Sequence, residues 1–188
     1  MRRPRGKPGR SRISVGEFYT IFDEDRRLFT GLGRLEFEHG KSLLGRFLPP
    51  PPATVLDVGG GTGRYSSWLA GLGYDVLLVE PSAKLITEAE RSATRRGANP
   101  LFLCLQADTR SLDIPDGRAD AILLFGPVYH LTEKRVRLRA LAEVRRVLKG
   151  RGLLVCAAIS RFASAVEGLS REFIKDPVFA KIVDRDLA

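Results

Sequence analysis

A loop of glycines and three acidic residues are the parts of this sequence able to do chemistry. From Val55 to Ala70 the chain reads VLDVGGGTGRYSSWLA, with Asp57 followed by glycines at 59, 60, 61 and 63. Glycine has no Cβ and takes positive φ freely, so such a loop lets backbone come close to a ligand. Glu80 ends DVLLVE, 17 residues after Gly63, and Asp108 ends LFLCLQAD. A carboxylate at a strand end after a glycine loop can accept from both hydroxyls of a ribose. A phosphate-clamping loop needs G-x-x-x-x-G-K-[ST], and no lysine follows Gly63. A dinucleotide loop needs G-x-G-x-x-G, but counting from Gly59 and Gly61 the third place is Arg64. What fits is G-x-G-x-G over Gly59, Gly61 and Gly63, with Asp57 two residues before. A tight structural turn is the competing reading.

These residues need elements to hold them, and the pattern supplies an alternation. TVLDV (54–58), DVLLVEP (75–81), LFLCLQAD (101–108), DAILLFGP (120–127) and GLLVCAAIS (152–160) read as strands. Between them GRYSSWLAGLG (63–73), SAKLITEAERSATRRG (82–97) and TEKRVRLRALAEVRRVLKGRG (132–152) read as helices. Ser82 is an expected N-cap, Gly73 an expected C-terminal stop, and Thr132 an expected helix start. Strands alternating with helices imply crossover units and a parallel sheet. The continuous apolar runs imply strands buried on both faces. The fold expected is therefore α/β, a Rossmann-like doubly wound parallel sheet with five visible strands. Ahead of it, 13–30 is loosely helical and 33–48 carries an apolar stripe weakened at Gly40. Pro49–Pro52 ends that helix. The expected organisation is a disordered basic tail over 1–12, then one domain over 13–188. That domain divides into a helical cap (13–48), a ligand-binding core (53–160) and C-terminal helices (161–188).

In an open parallel sheet, the carboxyl ends of the strands line one crevice where ligands bind. Asp57, Glu80 and Asp108 follow three successive strand ends, so they converge there. At this point the chain resembles the class I S-adenosylmethionine-dependent methyltransferases, LDVGGGTG being similar to their first motif. The resemblance implies S-adenosylmethionine as cofactor, held by Asp57, Gly59, Gly61 and Gly63 at its amino-acid end. It implies Glu80 on the ribose, with Pro81 and Ser82 near the adenine. It also implies Asp108 accepting from the adenine amino group, helped by the backbone of Ala107 and Thr109. Carboxylates suit a ligand carrying a cationic sulfonium and a free amine. LLFGPVYHL, which contains Phe125 and Gly126, resembles the GPLYHL segment of a small-molecule branch of that family, where the methyl acceptor approaches. EVRRVLKGRGLL is similar to its E-x-x-R-V-L-K-P-G-G segment, with Gly150 for the proline and Arg151 for the next glycine. The likeness spans most of residues 15–185. The family's last two strands are not found, which implies a shortened C-terminal edge.

Displacement at a sulfonium has a good leaving group, so positioning and water exclusion can supply most of the catalysis. A base is needed only for an acceptor that arrives protonated. His130 is the candidate by its intrinsic pKa, with Tyr129 beside it, and a wall of the pocket is the competing reading for both. His39 and Trp68 read as structural, and Arg34 is a candidate cap for the cofactor carboxylate. After the fourth strand stand Gly126, Pro127, Val128 and Tyr129, without the amide or carboxylate of the enzymes that methylate exocyclic base amines. Cys104 and Cys156 read as buried free thiols rather than nucleophiles, and no Cys/His cluster has zinc-ligand spacing. The expected function is methyl transfer to a small-molecule acceptor. A truncated or non-catalytic cofactor-binding module acting by interaction is one alternative, and an RNA or protein methyltransferase another.

Of the 188 residues, 44% are hydrophobic and 28% charged, ordinary for one globular domain. No run of apolar residues is long enough for a membrane span, and the basic N-terminus lacks the apolar stretch of a secretory leader. With two cysteines the chain fits a reducing compartment, so a cytoplasmic setting is expected. Six cations and no acid in MRRPRGKPGRSR account for most of the net charge of +9. Nucleic-acid contact is expected only as non-specific contact by this tail.

Overall fold

The computed structural model describes residues 31–94 and 101–188. The basic segment 1–12, the helical reading of 13–30 and the end of the helix read over 82–97 lie outside them. Helix α1 (Gly31–Phe47) stops just before the prolines, and strand β1 (Thr54–Val58) starts just after them. The chain then alternates: α2 (Arg64–Gly71), β2 (Asp75–Glu80), α3 (Ala83–Thr94), β3 (Leu103–Gln106), β4 (Ala119–Leu124). A short α4 (Pro127–His130), α5 (Lys134–Val147) and β5 (Leu148–Cys156) follow. The strands form one sheet in the order β3-β2-β1-β4-β5. β1 pairs in parallel with β2 and β4, Val55 standing opposite Val76 and Ala121, and β2 pairs in parallel with β3.

Parallel strands need crossovers, and the helices serve as these while covering both faces of the sheet. Side chains alternate along a strand. Accordingly Val55, Leu78 and Leu123 pack with Leu44 of α1, Leu69 of α2 and Ala89 of α3. Leu56, Val79 and Ile122 pack on the other side with Val144 and Val147 of α5. Many of these side chains are fully buried, and truncating such a Leu or Ile to Ala typically costs about 2–5 kcal/mol. The expectation of strands buried on both faces holds for β1, β2 and β4. It fails for β3, whose residues are exposed or half-buried, and for most of β5. Both lie at the edges of the sheet. Cys104 on β3 is half-buried and Cys156 on β5 is exposed, so neither is the buried thiol expected, although both are free.

Local signals explain most element ends. Gly73, at φ +90°, closes α2: its N–H donates to the Ala70 carbonyl at 3.0 Å, and that of Tyr74 to the Leu69 carbonyl at 3.2 Å. Ser82 Oγ accepts from the Leu85 N–H at 3.4 Å at the start of α3. Thr132 does not open α5. The helix begins at Lys134, with Glu133 at the cap position making no side-chain cap.

The loop between β3 and β4 is pinned to α5. Glu143 accepts from the Leu112 N–H at 2.9 Å, and Arg146 donates to the carbonyls of Leu112 and Ile114 at 2.8 Å each. This fixes the chain just beyond Asp108. No helix among the described residues is long and apolar enough to cross a membrane.

Residues Cys156–Ala188 form a second unit. It holds α6 (Ala163–Ser170), a 3-10 turn (Phe173–Lys175) and α7 (Pro177–Leu187). Gly168 is buried against the Phe179 ring, which leaves no room for a Cβ. Asp176 caps α7 by accepting from the Val178 N–H at 2.8 Å.

Candidate functional site

The loop after β1 is built around backbone that only glycine tolerates well. Gly59 sits at φ +74°, and a Cβ there would lie 2.6 Å from the Pro127 ring. Its N–H donates to the Val79 carbonyl at 2.7 Å, which joins the ends of β1 and β2. Gly63, at φ +82°, stands at the N-cap of α2 and packs on the Phe102 ring.

Asp57 lies beneath this loop, 2% exposed, with the Gly60 backbone resting on its carboxylate. Ser66 Oγ donates to Asp57 Oδ2 at 2.7 Å. Burial pushes the Asp57 pKa up to about 6, against the lowering effect of the Ser66 hydrogen bonds. A carboxylate placed this way anchors the loop to α2.

Glu80, 6% exposed, ends β2. Its Oε2 accepts from the Gly61 N–H at 3.2 Å and its Oε1 from the Ser82 N–H at 3.0 Å. One carboxylate therefore joins the loop, the end of β2 and the start of α3. Each oxygen keeps lone-pair capacity for a ligand hydroxyl.

Asp108, beyond the end of β3, is held by Arg110. The Arg110 N–H donates to Oδ1 at 2.8 Å and Nε to the same oxygen at 2.7 Å, while the guanidinium pairs with Oδ2. The hydrogen bond from the Arg110 side chain, aided by charge, keeps the Asp108 carboxyl below the usual carboxylate range.

These three strand ends surround one cavity of about 480 Å³. Pro81, Ser82, Thr109, Phe125, Gly126, Tyr129 and His130 also line it, as do Gly59 and Gly61. Gly63 and Ala107 do not: Gly63 faces the core through Phe102, and Ala107 packs with the cluster on the α5 face of the sheet. Tyr129 and His130 occupy α4, their rings 4.7 Å apart.

Among the lining residues that the sequence motifs do not point to are Glu36, Arg64, Tyr65 and Arg110. Glu36 comes from α1, whereas Arg34, the residue expected there, is exposed and off the cavity. Tyr65 stands between Phe37 of α1 at 4.8 Å and Phe125 at 5.0 Å. Its hydroxyl rests on Gly40, where a Cβ would come within 2.2 Å. The weak point in the helix is thus the seat of an aromatic residue from another element. For Arg110 a signal did exist, an arginine two residues after the third acid. His39 is exposed on α1, and Trp68 packs against the core.

Arg64 and Arg110 bring positive charge to a cavity otherwise lined by Glu36, Asp57, Glu80 and Asp108. That donor set suits an amphoteric ligand with a cationic centre, a ribose and a carboxylate. The volume falls within the range of ordinary small-molecule sites.

Residues 56–156 match the family model described as a methyltransferase domain. The chain is 40% identical over 105 residues to a glycine/sarcosine N-methyltransferase of Parasynechococcus marenigrum, covering 54% of this chain and 36% of that protein. It is 32% identical over 118 residues to a ubiquinone/menaquinone biosynthesis C-methyltransferase of Acidiphilium cryptum, covering 62% of this chain and 46% of that one. It thus spans less than half of each of these relatives. A solved SAM-dependent methyltransferase from Methanosarcina mazei superposes with a TM-score of 0.53 at 27% identity, over 57% of this chain and 52% of that chain.

Proposed function

Because this chain belongs to the methyltransferase-domain family, we propose that it transfers a methyl group from S-adenosylmethionine to a small-molecule acceptor. One observation carries the reading: the glycine loop and the acids at three successive strand ends border a single cavity. The relatives methylate small molecules by name, which supports a small acceptor.

Glu80 would hold the ribose hydroxyls of the cofactor while keeping Gly61 and Ser82 in place. Asp57 acts through the loop it anchors, because its carboxylate is buried under Gly60 and bonded to Ser66. Asp108 would meet the adenine amino group by sharing or releasing Arg110. When bound, the cofactor supplies a methyl group on a cationic sulfur, an electrophile that needs little activation. The chain's task is then to hold the acceptor in line and keep water out. Phe125, Tyr129 and His130 line the cavity beyond β4 and would form the acceptor's wall. His130 would take a proton from an acceptor that carries one. The free cysteines support a cytoplasmic setting.

Calorimetry with S-adenosylmethionine, followed by transfer of a tritiated methyl group into a metabolite extract, tests the reading. Saturable binding with label in a small molecule is the expected result. Absence of binding at millimolar cofactor would end it. Binding without any transfer would identify a cofactor-binding module instead.

A further inference from the structure

The net charge does not reside in the basic tail alone. Between Lys134 and Arg151 stand eight cations and one acid, Glu143. Most of them lie on α5, which packs its apolar side, Ala140, Val144 and Val147, into the sheet. Its outer side carries Lys134, Arg135, Arg139 and Arg145, all exposed. None of these four forms an ion pair among the described residues. Arg146, by contrast, is neutralised by Glu143 and Asp116, and Arg137 is spent on the carbonyls of Leu131 and Thr132.

Part of this arrangement works against the helix. The first turn of α5 carries Lys134, Arg135 and Arg137, the wrong sign for the positive end of the helix dipole and only partly offset by Glu133 at the N-cap, whereas Arg145 in the last turn has the favourable sign. Arg135 and Arg139 stand four residues apart, where like charges repel. Features that oppose local stability without gain inside the fold mark surfaces kept for function. The charged face is about 17 Å long from Lys134 to Arg145, at a rise of about 1.5 Å per residue. That exceeds the reach of a small-molecule acceptor and suits an extended polyanion. Arginine dominates the face, and its planar fork matches phosphate oxygens two at a time. An anionic membrane fits less well. A membrane-lying helix turns an apolar face outward, and here the apolar face is buried, leaving Leu138 as the one large apolar side chain exposed on this helix. The helix also lies close to the cavity: Glu143 of α5 accepts from the Leu112 N–H at 2.9 Å, four residues beyond Asp108, which lines the cavity.

We propose that the outer face of α5, through Lys134, Arg135, Arg139 and Arg145, docks the phosphate backbone of a nucleic acid beside the cavity. The docking is a separate property from methyl transfer and does not depend on the cofactor reading.

Fluorescence anisotropy with short labelled RNA and DNA oligonucleotides, over a series of salt concentrations, tests it on the full chain. Three proteins are compared: the intact chain, the variant R135A/R139A/R145A, and a chain lacking residues 1–12. The intact chain should bind with a steep salt dependence. The triple variant should bind more weakly, with the slope of log K against log salt reduced by about 2–3. Deletion of the tail should leave that difference in place. Circular dichroism shows whether the triple variant is folded, and R135K/R139K/R145K, which keeps the charge, should retain the slope. Binding lost with the tail and unchanged in the triple variant would overturn the proposal. So would α5-dependent binding to phosphatidylserine vesicles that matches or exceeds that to RNA, or no binding to any oligonucleotide at low salt.

Discussion

The carboxylate of Glu80 accepts from the backbone N–H of Gly61 at 3.2 Å, across 19 residues of chain, and so ties the end of β2 to the loop that follows β1. Replacing Glu80 by Ala removes this tie, the bond from Ser82 and the proposed ribose acceptor together. Hydrogen bonds to a charged group contribute about 1.5–3 kcal/mol each. E80A should therefore bind S-adenosylmethionine at least about 30-fold more weakly by calorimetry. E80Q should fall between, since its amide accepts at one oxygen only. Wild-type affinity in E80A would remove Glu80 from the site.

Asp57 gives a pH signature. Its folded-state pKa of about 6 lies above the ordinary value of 3.8, so over that interval the folded protein binds more protons than the unfolded chain. Stability from this group therefore falls as pH rises from about 4 to 6 and is level above that. The total is about 3 kcal/mol. D57N cannot titrate. Urea unfolding of both proteins at several pH values should show the wild type losing stability relative to D57N across this window. Parallel curves would mean that Asp57 is not held in this environment.

For Gly59→Ala the backbone conformation alone costs about 1–2 kcal/mol, and the new methyl group meets the Pro127 ring. The melting temperature should fall by about 5 °C or more. P127A in the same background should recover part of the loss, because it removes the contact and leaves the strained φ. No recovery would show that the ring is not the obstacle.

The glycine loop and its acids are legible in the sequence because each depends on nearby chain: an apolar run, a turn and a following helix. Burial of β3 is not legible. LFLCLQ looks like an interior strand, but its place at the edge follows from the order β3-β2-β1-β4-β5, which no local run encodes. The same holds for Cys104 and Cys156. Glu36 and Tyr65 are not legible, because α1 and α2 read as plain amphipathic helices, and Gly40 reads as a weak point although it seats the Tyr65 hydroxyl.

Arg110 occupies both oxygens of Asp108. If Asp108 accepts from the adenine amino group, cofactor binding has to share or displace this pair. Exposed ion pairs of this kind contribute below about 1 kcal/mol, so R110A should tighten S-adenosylmethionine binding by about two- to five-fold. Weaker binding in R110A would show that the guanidinium contacts the ligand itself.

Phe37, Tyr65 and Phe125 stand in a row, with Tyr65 in the middle. They come from α1, α2 and the segment after β4, so the chain contributes one ring from each of three distant stretches. The cavity wall and the seat of α1 are therefore one piece of packing. A ligand pressing on Phe125 should therefore stiffen the attachment of a helix 88 residues earlier in the chain, and amide exchange in α1 should slow as the cavity fills.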